Sequence, residues 1–88
     1  MIEECMMIRN KMGLHARPAA LFVETASRFD AEVTIIKDGL EVNGKSIMGL
    51  LMLAAEKGSE ITLRTDGKDE VDMFEALKAL LDGKFDED

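Results

Sequence analysis

The sequence predicts an α+β fold, in which three helices lie on one face of a mostly antiparallel, four-stranded sheet. Three observations lead to this fold. Segments in which apolar and polar residues alternate are typical of strands with one solvent-facing side. Other segments place apolar residues at helical spacing, and turn-forming glycines separate the two kinds. The segments follow in the order β-α-β-β-α-β-α, and 88 residues suit one domain, 1–88.

The first strand and the first helix lie on either side of a short loop. Residues Ile2–Ile8 are rich in Ile and Met and are expected to form a strand, and Asn10–Gly13 follows as a loop. A helix is predicted over Ala16–Arg28, because Pro18 suits a first turn and apolar residues recur at helical spacing. Its apolar face consists of Ala19, Phe22, Val23 and Ala26.

A hairpin and a short helix are predicted in the middle of the chain. Glu32–Lys37 alternates as a half-buried strand does, Asp38-Gly39 is typical of a hairpin turn, and Leu40–Asn43 is the returning strand. Ser46 is expected to cap a helix over Ile47–Leu53, because its side-chain oxygen can accept a first-turn N–H.

The final strand and helix follow the turn-forming pair Lys57-Gly58. Glu60–Thr65 alternates as a fourth strand, and Asp66-Gly67 turns the chain. The last helix is predicted over Glu70–Leu81, since acidic residues crowd its start and Gly83 is a suitable stop.

Composition excludes several classes of protein. A net charge of −7 argues against nucleic-acid binding, which needs a basic face. The longest apolar run, Ile47–Ala55, is too short to cross a bilayer, and the acidic Glu3 and Glu4 do not resemble the start of a signal peptide. Cys5 is the only cysteine, so no internal disulfide can form, and we expect it to be a buried, inert thiol. These features predict a cytoplasmic protein without membrane insertion.

Charge is distributed unevenly along the acidic chain. The acid-free stretch 5–23 carries three cations, Arg9, Lys11 and Arg17. The acid-free stretch 42–55 carries only Lys45. Apolar segments displace acids, but this does not explain why the remaining charge is only positive. Two locally cationic regions suit anionic ligands.

The only histidine, His15, is the first candidate for function. It precedes a predicted helix start, where the N–H groups of Ala16 and Arg17 lack intrahelical partners and the helix dipole is positive. These N–H groups and the Arg17 guanidinium could stabilise a phosphoryl group carried on the imidazole. The alternative is that His15 is only a helix cap or a partly buried core residue.

Other chemistries find little support in the sequence. His15 and Cys5 alone do not make a metal site, so we expect no metal. No serine lies near His15 in sequence, although Ser46 could approach it in the fold. No cofactor-binding loop is present, so we expect no cofactor and no free-standing enzyme.

The segment around Ser46 is the second candidate. Ser46 fits a helix cap, and a phosphate on a cap residue meets a helix N-terminus favourably. The following helix is apolar all round, so we expect Leu50 and Leu53 to face the core. Its other apolar residues would form an exposed patch, unless neighbouring helices cover them: Ile47, Met48 and Leu51.

Two motifs carry a resemblance to a known family. Gly13-Leu14-His15-Ala16-Arg17-Pro18-Ala19 resembles the phosphorylation-site signature of the HPr family, the histidine-containing phosphocarriers of the bacterial phosphotransferase system. Lys45-Ser46-Ile47-Met48-Gly49 resembles the signature around the regulatory serine of that family. The resemblance covers nearly the whole chain and implies an open-faced β-sandwich.

The resemblance also implies roles for particular residues. His15 would accept phosphate at Nδ1 from enzyme I and pass it to enzyme IIA domains, while Arg17 neutralises its charge. Ser46 would be phosphorylated by HPr kinase/phosphorylase, which favours binding to a transcriptional regulator. The docking surface for partners would comprise Ala20, Ile47, Met48 and Leu51. We expect a monomer, because the partners bind transiently.

Some features depart from the family or leave alternatives open. Met12 stands where many members carry a small polar residue, and the acidic tail Asp86-Glu87-Asp88 has no assigned role. Regulatory paralogues serve a nitrogen-type phosphorelay or act as catabolite-repression co-regulators. The presence of His15 counts against a co-regulator that has lost the carrier function.

Overall fold

The computed structural model describes residues 1–83 and residue 85, and the predicted order of elements is confirmed. The acidic tail at 86–88 lies outside the described residues. Four strands are present, namely β1 (Ile2–Met7), β2 (Glu32–Lys37), β3 (Leu40–Asn43) and β4 (Glu60–Asp66). Three helices accompany them, namely α1 (Ala16–Ala26), α2 (Ile47–Met52) and α3 (Glu70–Asp82).

The four strands form one sheet in the order β1-β4-β2-β3, and every neighbouring pair is antiparallel. The register places Ile61 of β4 opposite Met6 of β1, and Leu63 of β4 opposite Ile35 of β2. Side chains that lie directly opposite share a face of the sheet. The inward face is therefore apolar along its centre, which confirms the alternation expected for β2 and β4.

The helices cover this inward face and bury the core between the two layers. On α1 the buried residues are Pro18, Ala19, Phe22 and Ala26, whereas Val23 is half-buried. On α3 they are Met73, Phe74, Leu77 and Leu81. The opposite face of the sheet remains uncovered, so the open-faced β-sandwich is confirmed. No helix in the described part of the chain is long and apolar enough to cross a bilayer.

The expectation of a buried Cys5 is wrong. Cys5 is exposed, and its Sγ lies 3.4 Å from Oγ1 of Thr62, the residue opposite it on β4. Strand β1 lies at the edge of the sheet, and Cys5 points to the uncovered face. The apolar neighbours of Cys5 in sequence did not reveal this, because alternate side chains of a strand point to opposite faces.

Several boundaries also differ from the predicted ones. Helix α2 ends one residue earlier than predicted, at Met52, whereas β4 and α3 each end one residue later, at Asp66 and Asp82. Strand β1 ends at Met7, one residue before the buried Ile8. Helix α1 ends at Ala26, because the N–H groups of Arg28 and Phe29 bond to carbonyls three residues back. Such tighter bonds are common in a last turn.

The connection from α1 to β2 is held by two charged side chains. Lys45 Nζ donates to the Phe29 carbonyl oxygen at 2.8 Å, so its charge is engaged within the fold. The Asp69 carboxylate accepts the N–H groups of Asp30 and Ala31 at 2.9 and 2.8 Å. The Asp30 N–H holds the pKa of Asp69 below its ordinary value. Of the two cationic regions, therefore, only the one around Arg17 is directed to solvent.

Candidate functional site

The turn that precedes His15 is closed by two hydrogen bonds between the same pair of residues. The N–H of Gly13 donates to the carbonyl oxygen of Asn10 at 3.1 Å, and Asn10 Nδ2 donates to the carbonyl oxygen of Gly13 at 2.6 Å. Asn10 is buried, with 1% of its surface exposed, whereas Lys11 and Met12 lie exposed at the tip of the turn. The turn is thus a rigid support for the residue that follows it.

The turn is also joined to the segment after α2. The N–H of Leu14 donates to the carbonyl oxygen of Ala55 at 2.8 Å, and both residues are buried. Gly13 has φ +68°, and a Cβ atom built on it would meet the Ala55 carbonyl oxygen and lie 2.8 Å from Cα of Glu56. Only glycine fits there, because both the conformation and the space exclude a side chain.

His15 occupies the N-cap of α1, with an extended backbone and a half-buried side chain. His15 is thus the cap of α1 by position, although its side chain makes no capping hydrogen bond to the helix. The first helical bond runs from the N–H of Ala19 to the His15 carbonyl oxygen at 3.0 Å. The N–H groups before Ala19 have no intrahelical partner, and Pro18 has no N–H. The N–H groups of Ala16 and Arg17 are therefore the first-turn donors that an anion at the helix end can use.

Arg17 is the second residue of α1. Its side chain is exposed, whereas Pro18 and Ala19 are buried against the core. Within residues 1–83 and 85, its guanidinium forms no ion pair. The same part of the chain contains no group of His, Cys, Asp or Glu side chains that could hold a metal ion. An anion at this helix start therefore meets backbone N–H donors and an exposed cation.

Ser46 caps α2 as predicted. Its Oγ accepts the N–H of Gly49 at 3.0 Å, and its carbonyl oxygen accepts the N–H of Leu50 at 3.0 Å. The hydroxyl is half-buried at the start of the helix. Helices α1 and α2 pack against each other, with Lys45 bonded to Phe29 after the end of α1 and Ala55, after the end of α2, bonded to Leu14. The start of α2, with Ser46, therefore lies beside the end of α1 and not beside His15.

One side of α2 is exposed and apolar, as the sequence predicts. Leu50 and Leu53 are buried in the core. The exposed side, here called the α2 patch, consists of Ile47 (41% exposed), Met48 (71%), Leu51 (38%) and Met52 (66%). Ala20 is exposed on α1. Met52 was absent from the predicted docking surface, although its position four residues after Met48 places both on one helix face.

Sequence reasoning missed Asn10 and Ala55. Asn10 was assigned only to a loop, and an asparagine three residues before a glycine was the available signal. Ala55 carries no signal in sequence, because its contribution is a backbone carbonyl oxygen that reaches Leu14 through the fold.

Comparison with known proteins gives consistent matches over the whole chain. Residues 2–82 match the family model for the PTS HPr component phosphorylation site. Phosphocarrier protein HPr of Neisseria meningitidis serogroup A is 52% identical over 87 residues, which are 99% of this chain and 98% of that protein.

Two solved structures are similar in fold as well as in sequence. A crystal structure of HPr from Thermoanaerobacter tengcongensis is 46% identical, with a TM-score of 0.96 over 100% of this chain and 99% of that one. The crystal structure of Crh, a catabolite repression protein of Bacillus subtilis, is 48% identical, with a TM-score of 0.77 over 96% and 97% of the two chains. That Crh forms a dimer with a swapped domain.

Proposed function

The chain belongs to the HPr family of phosphocarrier proteins of the phosphotransferase system, and from this we propose that His15 is the residue that carries the phosphoryl group. The observation that carries the proposal is the position of His15 at the open start of α1. His15 is the N-cap residue directly before two N–H groups that lack intrahelical partners, and an exposed guanidinium follows two residues later.

The proposed transfer requires no group beyond the two proteins. Nδ1 of His15 attacks phosphorus on phosphorylated enzyme I, a bond from nitrogen to phosphorus forms, and the bond from phosphorus to enzyme I breaks. The reverse exchange at an enzyme IIA domain then returns the imidazole to its starting form. Phosphoryl transfer depends mainly on positioning and charge stabilisation, so a small site suffices. The N–H groups of Ala16 and Arg17 and the Arg17 guanidinium stabilise the phosphate oxygens.

Partners dock on the α2 patch and on Ala20 in this proposal. Exposed apolar side chains are costly to leave in water, and methionines adapt to differently shaped surfaces. One patch can therefore serve enzyme I and several enzyme IIA domains in turn. In this proposal the protein is a single HPr-like domain over 1–88 and acts in the cytoplasm. It acts as a monomer, since each partner must reach the same surface.

The carrier proposal is tested by incubation with phosphoenolpyruvate and enzyme I. We expect one acid-labile phosphate on the protein and none on the His15→Ala variant, with both proteins folded by circular dichroism. Arg17→Ala should still be labelled, but about tenfold more slowly or worse, because charge-assisted bonds to the phosphate are lost. Uptake of label by His15→Ala would show that another residue is the carrier.

A second, compatible function is regulation at Ser46, favoured by the Ser46 cap beside the α2 patch. A phosphate there meets the N-terminus of α2 without disrupting it and adds charge to the apolar docking surface. The modified protein would bind a transcriptional regulator and accept phosphate from enzyme I more slowly.

The Ser46 proposal is tested with ATP and HPr kinase/phosphorylase. We expect an acid-stable phosphate that Ser46→Ala abolishes and that Ser27→Ala, at the other end of α1, does not. No product with a kinase that is active on another HPr would exclude this function. A nitrogen-type phosphorelay remains the alternative for the carrier, and it is distinguished by which enzyme IIA accepts the phosphate.

A further inference from the structure

One peptide unit in the site turn is held on both sides. This unit joins Gly13 to Leu14, directly before His15. Its carbonyl oxygen accepts Asn10 Nδ2 at 2.6 Å, and its N–H donates to the Ala55 carbonyl oxygen at 2.8 Å. Rotation of the peptide plane would break both hydrogen bonds together. The orientation of the chain as it enters His15 is therefore set by these two contacts.

Asn10 contributes the side-chain hydrogen bond to this peptide unit, and it does so from a buried position. Of the described polar and charged residues, only Asn10 and Thr65 are buried, at 1% and 0% exposure. Burial of an amide is unfavourable unless its hydrogen bonds are made inside the protein. Asn10 Nδ2 donates to the Gly13 carbonyl oxygen at 2.6 Å, so the buried amide supports the site turn.

We propose that Asn10 is a positioning residue for phosphoryl transfer at His15: through the Gly13–Leu14 peptide it holds the imidazole in line with the donor phosphorus. This inference rests on the proposed role of His15. Transfer between two proteins needs the attacking nitrogen at a defined place and angle when they dock, and small displacements reduce the rate strongly. Lys11 and Met12, at the tip of the turn, are exposed and do not pack against the core. The hydrogen bond from Asn10 Nδ2 therefore fixes the turn from its buried side.

The first test compares Asn10→Ala with Thr65→Val. Thr65 is the matched control, because it is the other buried polar residue and its Oγ1 donates to the Glu70 carbonyl oxygen at 3.1 Å, away from the turn. With phosphorylated enzyme I, we expect the maximal rate of Asn10→Ala to fall about tenfold to a hundredfold, with KM within about twofold of the original. Thr65→Val should keep its rate. Equal losses in both variants, or an unchanged rate in Asn10→Ala, would overturn the proposal.

Asn10→Asp provides a variant of the same size in case Asn10→Ala unfolds. The ionised carboxylate cannot donate to the Gly13 carbonyl oxygen, whereas the protonated carboxyl can. We expect the rate of Asn10→Asp, relative to the unaltered protein at the same pH, to rise as pH falls. A ratio that is independent of pH would contradict a role for the donated hydrogen bond.

Hydrogen exchange of the free protein separates this inference from the carrier proposal. The Leu14 amide should exchange at least about tenfold faster in Asn10→Ala than in Thr65→Val, because local opening of the turn exposes it. Equal exchange in the two variants would overturn the positioning role, whatever the phosphorylation results. An unaltered protein that takes no phosphate at His15 would instead overturn the carrier proposal.

Discussion

The N–H of Leu14 donates to the carbonyl oxygen of Ala55 at 2.8 Å, and this bond connects the first motif to the segment that follows α2. Leu14 directly precedes His15, and Ala55 follows the helix that Ser46 caps. The turn before His15 is therefore supported by the same segment that presents the α2 patch. Substitutions in this junction should affect the position of His15 as well as stability.

Gly13→Ala should be strongly destabilising. Alanine at φ +68° is strained by about 1–2 kcal/mol, and its Cβ would also collide with the backbone of Ala55. We expect a total loss of about 3 kcal/mol in the free energy of unfolding, measured in urea. Gly39→Ala is the control, because φ is +83° but nothing lies within 4 Å of a Cβ there. Equal losses for the two variants would show that the contact with Ala55 is unimportant.

Ala54→Gly should stabilise the protein slightly. Ala54 is exposed and adopts φ +50° just after α2, where glycine is the favoured residue. Relief of the left-handed strain outweighs the added freedom of the unfolded chain, so we expect a gain of about 0.5 kcal/mol. Thermal unfolding measures it. Ala79→Gly, at an exposed position inside α3, should lose about 1 kcal/mol. A loss at Ala54 as large as that at Ala79 would contradict the prediction.

The amino terminus should make stability depend on pH. The ammonium of Met1 lies 2.9 Å from Glu70 Oε2, and this contact raises the pKa of the ammonium above its ordinary 8.0. The Gly67 N–H, and then the ammonium, lower the pKa of Glu70 below its ordinary 4.5. The ammonium therefore stabilises the fold below pH 8.0 and less as pH rises through its folded pKa, while Glu70 stabilises it above pH 4.5 and less as pH falls.

Urea unfolding of Glu70→Gln across this pH range measures the effect. The loss of stability relative to the unaltered protein should be largest between pH 4.5 and 8.0 and smaller on either side. Glu75→Gln, which removes an exposed carboxylate from the same helix without touching the Met1 ammonium, is the control. A constant loss for Glu70→Gln at every pH would mean that charge is not its cause.

Met48→Asp should weaken docking without weakening the fold. Met48 is 71% exposed in the α2 patch, so we expect stability to stay within about 0.5 kcal/mol. The KM for phosphoryl transfer with enzyme I should rise about tenfold, because an interface anchor is typically worth 1–2 kcal/mol. Val71→Asp is the control, since Val71 is 53% exposed on α3. Transfer kinetics unaffected by Met48→Asp would remove this residue from the docking surface.

Much of the fold follows from local patterns in the sequence. Alternation in β2 and β4 correctly predicted that Val33, Ile35, Ile61 and Leu63 are buried. The Ser46 cap was predicted because a side chain and an N–H three residues later interact locally. The same reasoning failed for Cys5, since a short apolar run does not tell which face of an edge strand is covered.

The sequence alone determined the order of elements, the placement of His15 at a helix start and the chemical character of the α2 patch. These depend on periodicity and capping, which act between residues a few positions apart. Only the tertiary structure decided that Asn10 and Ala55 clamp the peptide before His15, that Cys5 faces solvent, and that the charge of Lys45 is used inside the fold. The contacts of Ala55 and Lys45 join groups that are distant in sequence, and the burial of Asn10 and the exposure of Cys5 depend on how the layers pack, so periodicity and capping do not reveal them.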